Sequence, residues 1–173
     1  MYIRVEARCF TRNFMKALRV LFDERDELVA NDGTRGTLLK SSLEYFTVRS
    51  GAGDMWGIVV GKGTTSPSPD DAWLEQPIQH GDQPNQLFYW ETIVSVVEVK
   101  ESRLRFLVTR VIENRTGSDI QFTEVGLAAK CKLNVSGNLL DKVVLLARDV
   151  LQNPVTVPSK GAVRVDYIIY VPL

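Results

Sequence analysis

Histidine is almost missing from this chain: His80 stands alone among 173 residues, which excludes a zinc site built on histidines. Cysteine is nearly as scarce. Cys9 and Cys131 lie far apart and outside any C-x-x-C pair, so the usual structural zinc sets fail as well, and two reduced, buried thiols are expected. Net charge is absent too. Twenty-one basic and twenty-one acidic residues cancel, leaving no global field to draw the chain onto nucleic acid or an anionic membrane, and neither is expected as a partner. No stretch approaches the roughly 20 apolar residues that span a bilayer. The opening "MYIRVEARCF" lacks the apolar run of a signal peptide, so synthesis in the cytoplasm is expected. Repeats and low-complexity tracts are also missing.

What the chain does have is period-2 patterning. In Met1–Phe10, Ile3, Val5, Ala7 and Cys9 share one face while Arg4, Glu6 and Arg8 share the other, the signature of a half-buried strand. The period then changes in "RNFMKALRVLFDERDELV". Phe14, Leu18, Leu21 and Phe22 fall at i, i+4, i+7 and i+8, which predicts one amphipathic helix with Thr11 or Asn13 at its start. "NDG" at Asn31–Gly33 is a turn. Beyond Gly36, "LLKSSLEYFTV" reads as a strand or pair, and "WGIVVG" as a short buried run. The segment Lys62–Gln86 holds Pro67, Pro69, Pro77 and Pro84. A loop of that length is unusual in a compact domain, and its Trp73, Leu74 and Ile78 predict that it packs on the body and stays ordered. From Leu87 the pattern is β throughout: "LFYWETIVSVVEV", "LRFLVTRVIE", "IQFTEVGLAAKCKL", "KVVLLARDV", a short "VTV" between Pro154 and Pro158, and a closing strand with Val163, Val165, Tyr167, Ile169 and Val171 on one face. "NRTGSD" reads as a hairpin loop, and "NVSGN" as another turn.

Candidate chemistry is thin. "GIVVGKGTT" fails the phosphate-loop pattern: only three residues separate Gly57 from Gly61, and Gly63 stands where magnesium needs a hydroxyl. It reads as a strand entering a glycine turn. Asp70, Asp71 and Glu75 form an acidic cluster that would suit calcium or flank a sugar, although "SPDDAWLE" equally suits a capped helical turn. A Ser-His-Asp set would have to be built on His80, in a turn. Phe88 and Trp90 share a strand face, the feature a carbohydrate platform would use, although a place in the core is the commoner role for such rings. The sequons at Asn114 and Asn134 carry no weight without a secretory signal. Arg148 and Asp149 interrupt an apolar run and point to opposite faces. Each therefore needs its own partner, structural or at a subunit interface, rather than a catalytic role.

Four stretches together resemble one known pattern. "GIVVGKGTTSPSPDDAWLEQPIQHG" followed by "QLFYW", together with "FLVTRVIENRTGSDIQFTEVGL" and "LLARDVLQNPVTVPSKGAVRVDYIIYV", is similar to uncharacterised structural proteins of tailed phages, over roughly Gly57 to Val171. The resemblance implies a trimeric virion subunit that binds itself and other virion proteins such as the major capsid or tail proteins. It transfers no catalytic residue.

The expectation is therefore an all-β fold, a two-sheet antiparallel β-sandwich that is jelly-roll-like because strand number and length exceed the immunoglobulin pattern, with one short N-terminal helix. Residues 1–35 form a strand and helical segment suited to an assembly arm, and residues 36–173 form the sandwich. The expected function is a capsid decoration (cement) protein. A neck, tail or tail-fibre component is the alternative, and a carbohydrate-binding module is the rival from another class. No enzyme activity, cofactor or metal is expected. Phe14, Leu18, Leu21, Trp73 and Ile78 are the candidate assembly residues.

Overall fold

The computed structural model describes residues 1–172. It is an all-β, two-sheet sandwich of ten strands and one helix. The first sheet has the order β1 (Tyr2–Glu6), β10 (Ala162–Pro172), β7 (Arg103–Glu113), β5 (Phe88–Val94), with β6 (Glu98–Lys100) on the same edge of β7 as β5. In the second sheet β8 (Ile120–Val135) is central. β9 (Asn138–Val157) runs along one edge of it; β4 (Gly57–Gly61) and β3 (Arg35–Leu39) line the other, and β3 pairs with β2 (Arg25–Val29).

The last four strands are one long hairpin folded over itself. β8 and β9 pair in one sheet, closed by Ser136 and Gly137, both at positive φ, where the sequence predicts a turn. Their continuations β7 and β10 pair in the other sheet. Both legs cross between sheets at the same level, through Asn114–Asp119 and Pro158–Gly161. "NRTGSD" is therefore an arch between layers and not a hairpin loop. Its geometry comes from a buried side chain: Asn114 Nδ2 donates to Ser118 O (2.8 Å) and to Val157 O on the other leg (2.9 Å). Asn114 is fully buried, so the folded chain does not present that sequon.

The N-terminal strand enters with the predicted inward face, Ile3, Val5 and Ala7. It pairs parallel with β10, Tyr2 opposite Arg164, so the first sheet is mixed and not wholly antiparallel. Alternation reports which face is apolar but not strand direction.

Four further expectations change. Helix α1 covers only Arg12–Val20, and "RDELV" becomes β2. The buried helix face is Asn13, Phe14, Ala17 and Val20, while Met15, Leu18, Leu21 and Phe22 face outward. The helix is turned this way by hydrogen bonds. Asn13 Oδ1 accepts from Val29 N (3.0 Å), its Nδ2 donates to Val29 O (2.8 Å), and Thr11 N donates to Leu146 O. These bonds outweigh the burial of Leu18 and Leu21. "LLKSSLEYFTV" yields β3 and then a 3₁₀ turn, Lys40–Tyr45. "LFYWETIVSVVEV" breaks at Ser95 into β5 and β6, and "VTV" belongs to β9, which bulges at Leu151–Pro154. The Pro-rich loop does pack on the body: Leu74 and Ile78 are buried, and Ile78 N donates to Val60 O.

Candidate functional site

The charged residues that looked most reactive are engaged where the Pro-rich loop covers the face of β8 and β9 that points away from the core. Arg148 on β9 is 2 % exposed and reaches three carboxylates: Nε to Glu124 Oε2 (2.7 Å), Nη1 to Asp71 Oδ2 (3.0 Å) and Nη2 to Glu75 Oε2 (3.4 Å). Burial opposes the charge on Arg148, but the hydrogen bonds to Glu124 and Asp71 outweigh it and raise the pKa. Glu124, fully buried on β8, is the hub. It also accepts from the backbone N–H groups of Gly63 (3.0 Å), Gln76 (2.9 Å) and Glu75 (3.2 Å). Glu75 in turn accepts from Thr64 N, Thr65 N and Thr65 Oγ1. The acidic cluster thus anchors the Pro-rich loop to the sheet through Arg148. Asp70 pairs with Arg12 at the start of α1, and no helix forms at "SPDDAWLE". Among the described residues no group of acidic, histidine or cysteine side chains is arranged to hold a metal ion.

This arrangement explains the glycine-rich "GIVVGKG". A Cβ on Gly61 would run into Glu124 Oε1 and lie 2.6 Å from Gln76 O, and one on Gly63 would lie 2.7 Å from Glu124 Oε1. Both glycines let backbone approach a buried carboxylate. Gly61→Ala is therefore expected to destabilise the fold by about 2–4 kcal/mol, an overpacking cost against backbone that cannot retreat. Urea unfolding measures this, and an unchanged midpoint would contradict the packing.

Asp149 faces the other way, as alternation requires. It accepts from Tyr167 Oη and from Arg8 N (3.3 Å), so both members of the Arg148–Asp149 pair find structural partners. His80 Nδ1 accepts from Tyr89 N (3.2 Å), and its ring packs on Phe88 at 4.6 Å. No hydrogen bond joins it to Asp70 or Asp71 among the described residues. Both cysteines are free thiols. Burial pushes Cys131 up to about 12, which keeps it protonated, and burial and then Asp149 raise Cys9.

Sequence reasoning missed Arg110, which has no flag in the pattern except a charge on the inward face of β7. It is fully buried beneath the Ser50–Gly57 loop and meets no carboxylate. Nε donates to Trp90 O (2.6 Å), Nη1 to Trp56 O (2.7 Å) and Ile58 O (2.8 Å), and Nη2 to Asp54 O (2.7 Å) and Gly51 O (3.4 Å). Burial lowers its pKa to about 10, which leaves it charged at neutral pH. Tyr89, also in the core, donates to Ile78 O (2.8 Å).

Phe88 and Trp90 lie on the outer face and not in the core. Arg115 sits 3.4 Å over the Phe88 ring centroid, and Trp90 Nε1 donates to Glu113 Oε2 (3.0 Å). The Phe88 face is thus covered by a guanidinium, which weighs against an open sugar-stacking row. Trp73 is half-buried in the Pro-rich loop.

The remaining features are exposed apolar side chains at the margins. One group is the outer side of α1: Met15, Leu18, Leu21 and Phe22. Of the five candidate assembly residues, Leu18 and Leu21 lie here, Phe14 stacks on Phe10 at 4.3 Å, and Ile78 is in the core. The other group, unforeseen, lies at the open end of the first sheet. Val99, Leu104 and Val171 are register neighbours across β6, β7 and β10, beside Val96 and Val97. By alternation Leu104 and Val171 are on the core-facing side, continuing Phe106 and Ile169 past the end of the second sheet.

No family model, curated protein or solved structure matches this chain. Its geometry must therefore carry the functional reading. That geometry consists of buried charges that are used in holding loops, and margins whose apolar side chains are exposed among the described residues. No described helix is long and apolar enough to cross a membrane.

Proposed function

We propose that this protein is a structural subunit that assembles with copies of itself. Following the resemblance to tailed-phage structural proteins, its place is in a virion, as a capsid decoration (cement) protein; a neck, tail or tail-fibre position is the alternative. What supports the assembly reading above all is the uncovered end of the first sheet. Val96 is 81 %, Val99 67 % and Val171 61 % exposed, although the last two align with core rows. With Val97 and Leu104 they present on the order of a few hundred Å² of apolar surface, the size at which a patch marks an interaction surface.

The test has two parts: solution mass by light scattering over a concentration series, and co-sedimentation with purified phage particles stripped of decoration proteins. An oligomer that sediments with the particles is expected. A chain that stays monomeric, ignores the particles and binds a glycan array would overturn the reading in favour of a carbohydrate-binding module.

A further inference from the structure

Resting on the assembly reading above, we propose that the free edge of β6 pairs with β6 of a second copy, antiparallel about a two-fold axis at Val99, joining two first sheets into one continuous sheet.

The backbone supplies the first argument. β6 and β7 are joined by Glu101 and Ser102, both at positive φ (54° each), a two-residue turn of the primed type. Such a turn makes its flanking residues, Lys100 and Arg103, a mutually bonded pair. Bonded and non-bonded pairs alternate, so Glu98 with Arg105 is bonded and Val99 with Leu104 is not. The Val99 N–H and C=O therefore point away from β7, to the edge. Farther along, Ser50 and Gly53 cover the outer edge of β5: Thr92 N donates to Ser50 O, and Gly53 N to Tyr89 O. Among the described residues no strand pairs with the outer edge of β6.

Charge supplies the second argument and identifies the occupant. With Val99 opposite its own copy, Glu98 stands opposite Lys100 of the second copy, and Lys100 opposite Glu98. Two opposite-charge cross-strand pairs form on one face. Moving the axis to Glu98 would set two like charges opposite each other, which is destabilising. The sequence Glu98-Val99-Lys100 is thus self-complementary about Val99 and about no neighbouring position.

Apolar continuity is the third. The row Val171, Leu104, Val99 ends in the open on β6. Two-fold pairing continues it into Val99, Leu104 and Val171 of the second copy. An exposed strand edge invites pairing unless it is blocked; no proline lies between Ser95 and Lys100, and the charges that would repel a foreign strand, Glu98 and Lys100, are complementary to those of a second copy.

Two substitutions test this in the full chain, read by sedimentation equilibrium. Val99→Pro removes only an N–H that faces the edge, so it should leave the circular dichroism intact and abolish the dimer. Lys100→Glu turns both cross-strand pairs repulsive and should weaken the dimer about tenfold at low salt, with recovery as salt is raised. Should Val99→Pro fail to fold, the exposed Lys100→Glu change carries the test alone. A dimer indifferent to these changes, or a trimer, would overturn the edge pairing and leave the assembly reading standing. A monomer at all concentrations would remove the assembly reading itself.

Discussion

Replacing Arg110 by methionine is expected to leave no cooperatively folded protein. Four of its hydrogen bonds, to the carbonyls of Trp90, Trp56, Ile58 and Asp54, are 2.6–2.8 Å long. Each carbonyl left without a donor in a buried or part-buried place costs about 1–3 kcal/mol. Four such losses approach the 5–15 kcal/mol that typically holds a whole domain together. Two of the four, Trp56 and Asp54, belong to the Ser50–Gly57 loop, which has little regular structure of its own, and Arg110 ties them to the carbonyls of Ile58 on β4 and Trp90 on β5. Gly57 is at φ +81° there, and a Cβ on it would lie 2.8 Å from Thr92 Cβ, so the loop has no easy second arrangement. Arg110→Lys keeps the charge and at most three donors, without the planar fork. It is expected to fold with a lower urea midpoint and to be cleaved faster by protease within Ser50–Gly57. If the methionine variant unfolds at the same urea concentration as the unmodified chain, the clamp does not hold the loop.

Arg148→Leu should lower stability by about 3–5 kcal/mol, the usual cost of removing one partner from a buried ion pair. For a domain of this size that corresponds to a fall in melting temperature of about 10 °C. The cost falls on Glu124, which is fully buried and would keep its backbone donors but lose the cation paired with it. Asp71 and Glu75 would lose theirs too, so the Pro-rich loop should loosen together with the sheet. Amide exchange at Gly63, Gln76 and Thr65 should accelerate more than exchange in β7 and β10, which lie in the other layer. The double variant Arg148→Leu with Glu124→Leu is the control: with both charges gone, much of the stability should return. A melting temperature unchanged in the single variant would mean that the carboxylates do not depend on Arg148.

The two changes differ in kind. Arg148 is surrounded by charge, and its loss leaves ions without a counter-charge. Arg110 is surrounded by carbonyls, and its loss leaves dipoles without donors. In both cases a buried guanidinium fixes a loop that the strands do not. Arg110, Arg148 and Glu124 are thus engaged in holding the fold together.

Much of the fold was legible from local pattern. Alternation identified the closing strand and, within Met1–Phe10, the shorter strand Tyr2–Glu6, including their inward residues Val5, Val163, Val165 and Tyr167. The positive-φ turn at Ser136–Gly137 and the packing of the Pro-rich loop by Leu74 and Ile78 were readable for the same reason: each depends on a few neighbouring residues. Arg148 and Asp149 were readable as needing separate partners, because opposite faces of a strand follow from its two-residue period. The exposed apolar margins were legible only in part: Leu18 and Leu21 are exposed, while Ile78 went to the core and the Val99, Leu104, Val171 row passed unnoticed.

Tertiary structure decided the rest. The parallel pairing of β1 with β10 joins residues more than 160 apart, and alternation is the same for either direction. The arch at Asn114 depends on Val157, 43 residues away, and the rotation of α1 on Val29 and Leu145. Helical periodicity marked an apolar stripe but could not weigh it against the hydrogen bonds of Asn13. Val99 looks like any strand valine until the second sheet stops short of it. The local sequence determined the strands and the faces they bury. Contacts between residues far apart in the chain determined which faces are covered, which charges meet, and which edge is left open.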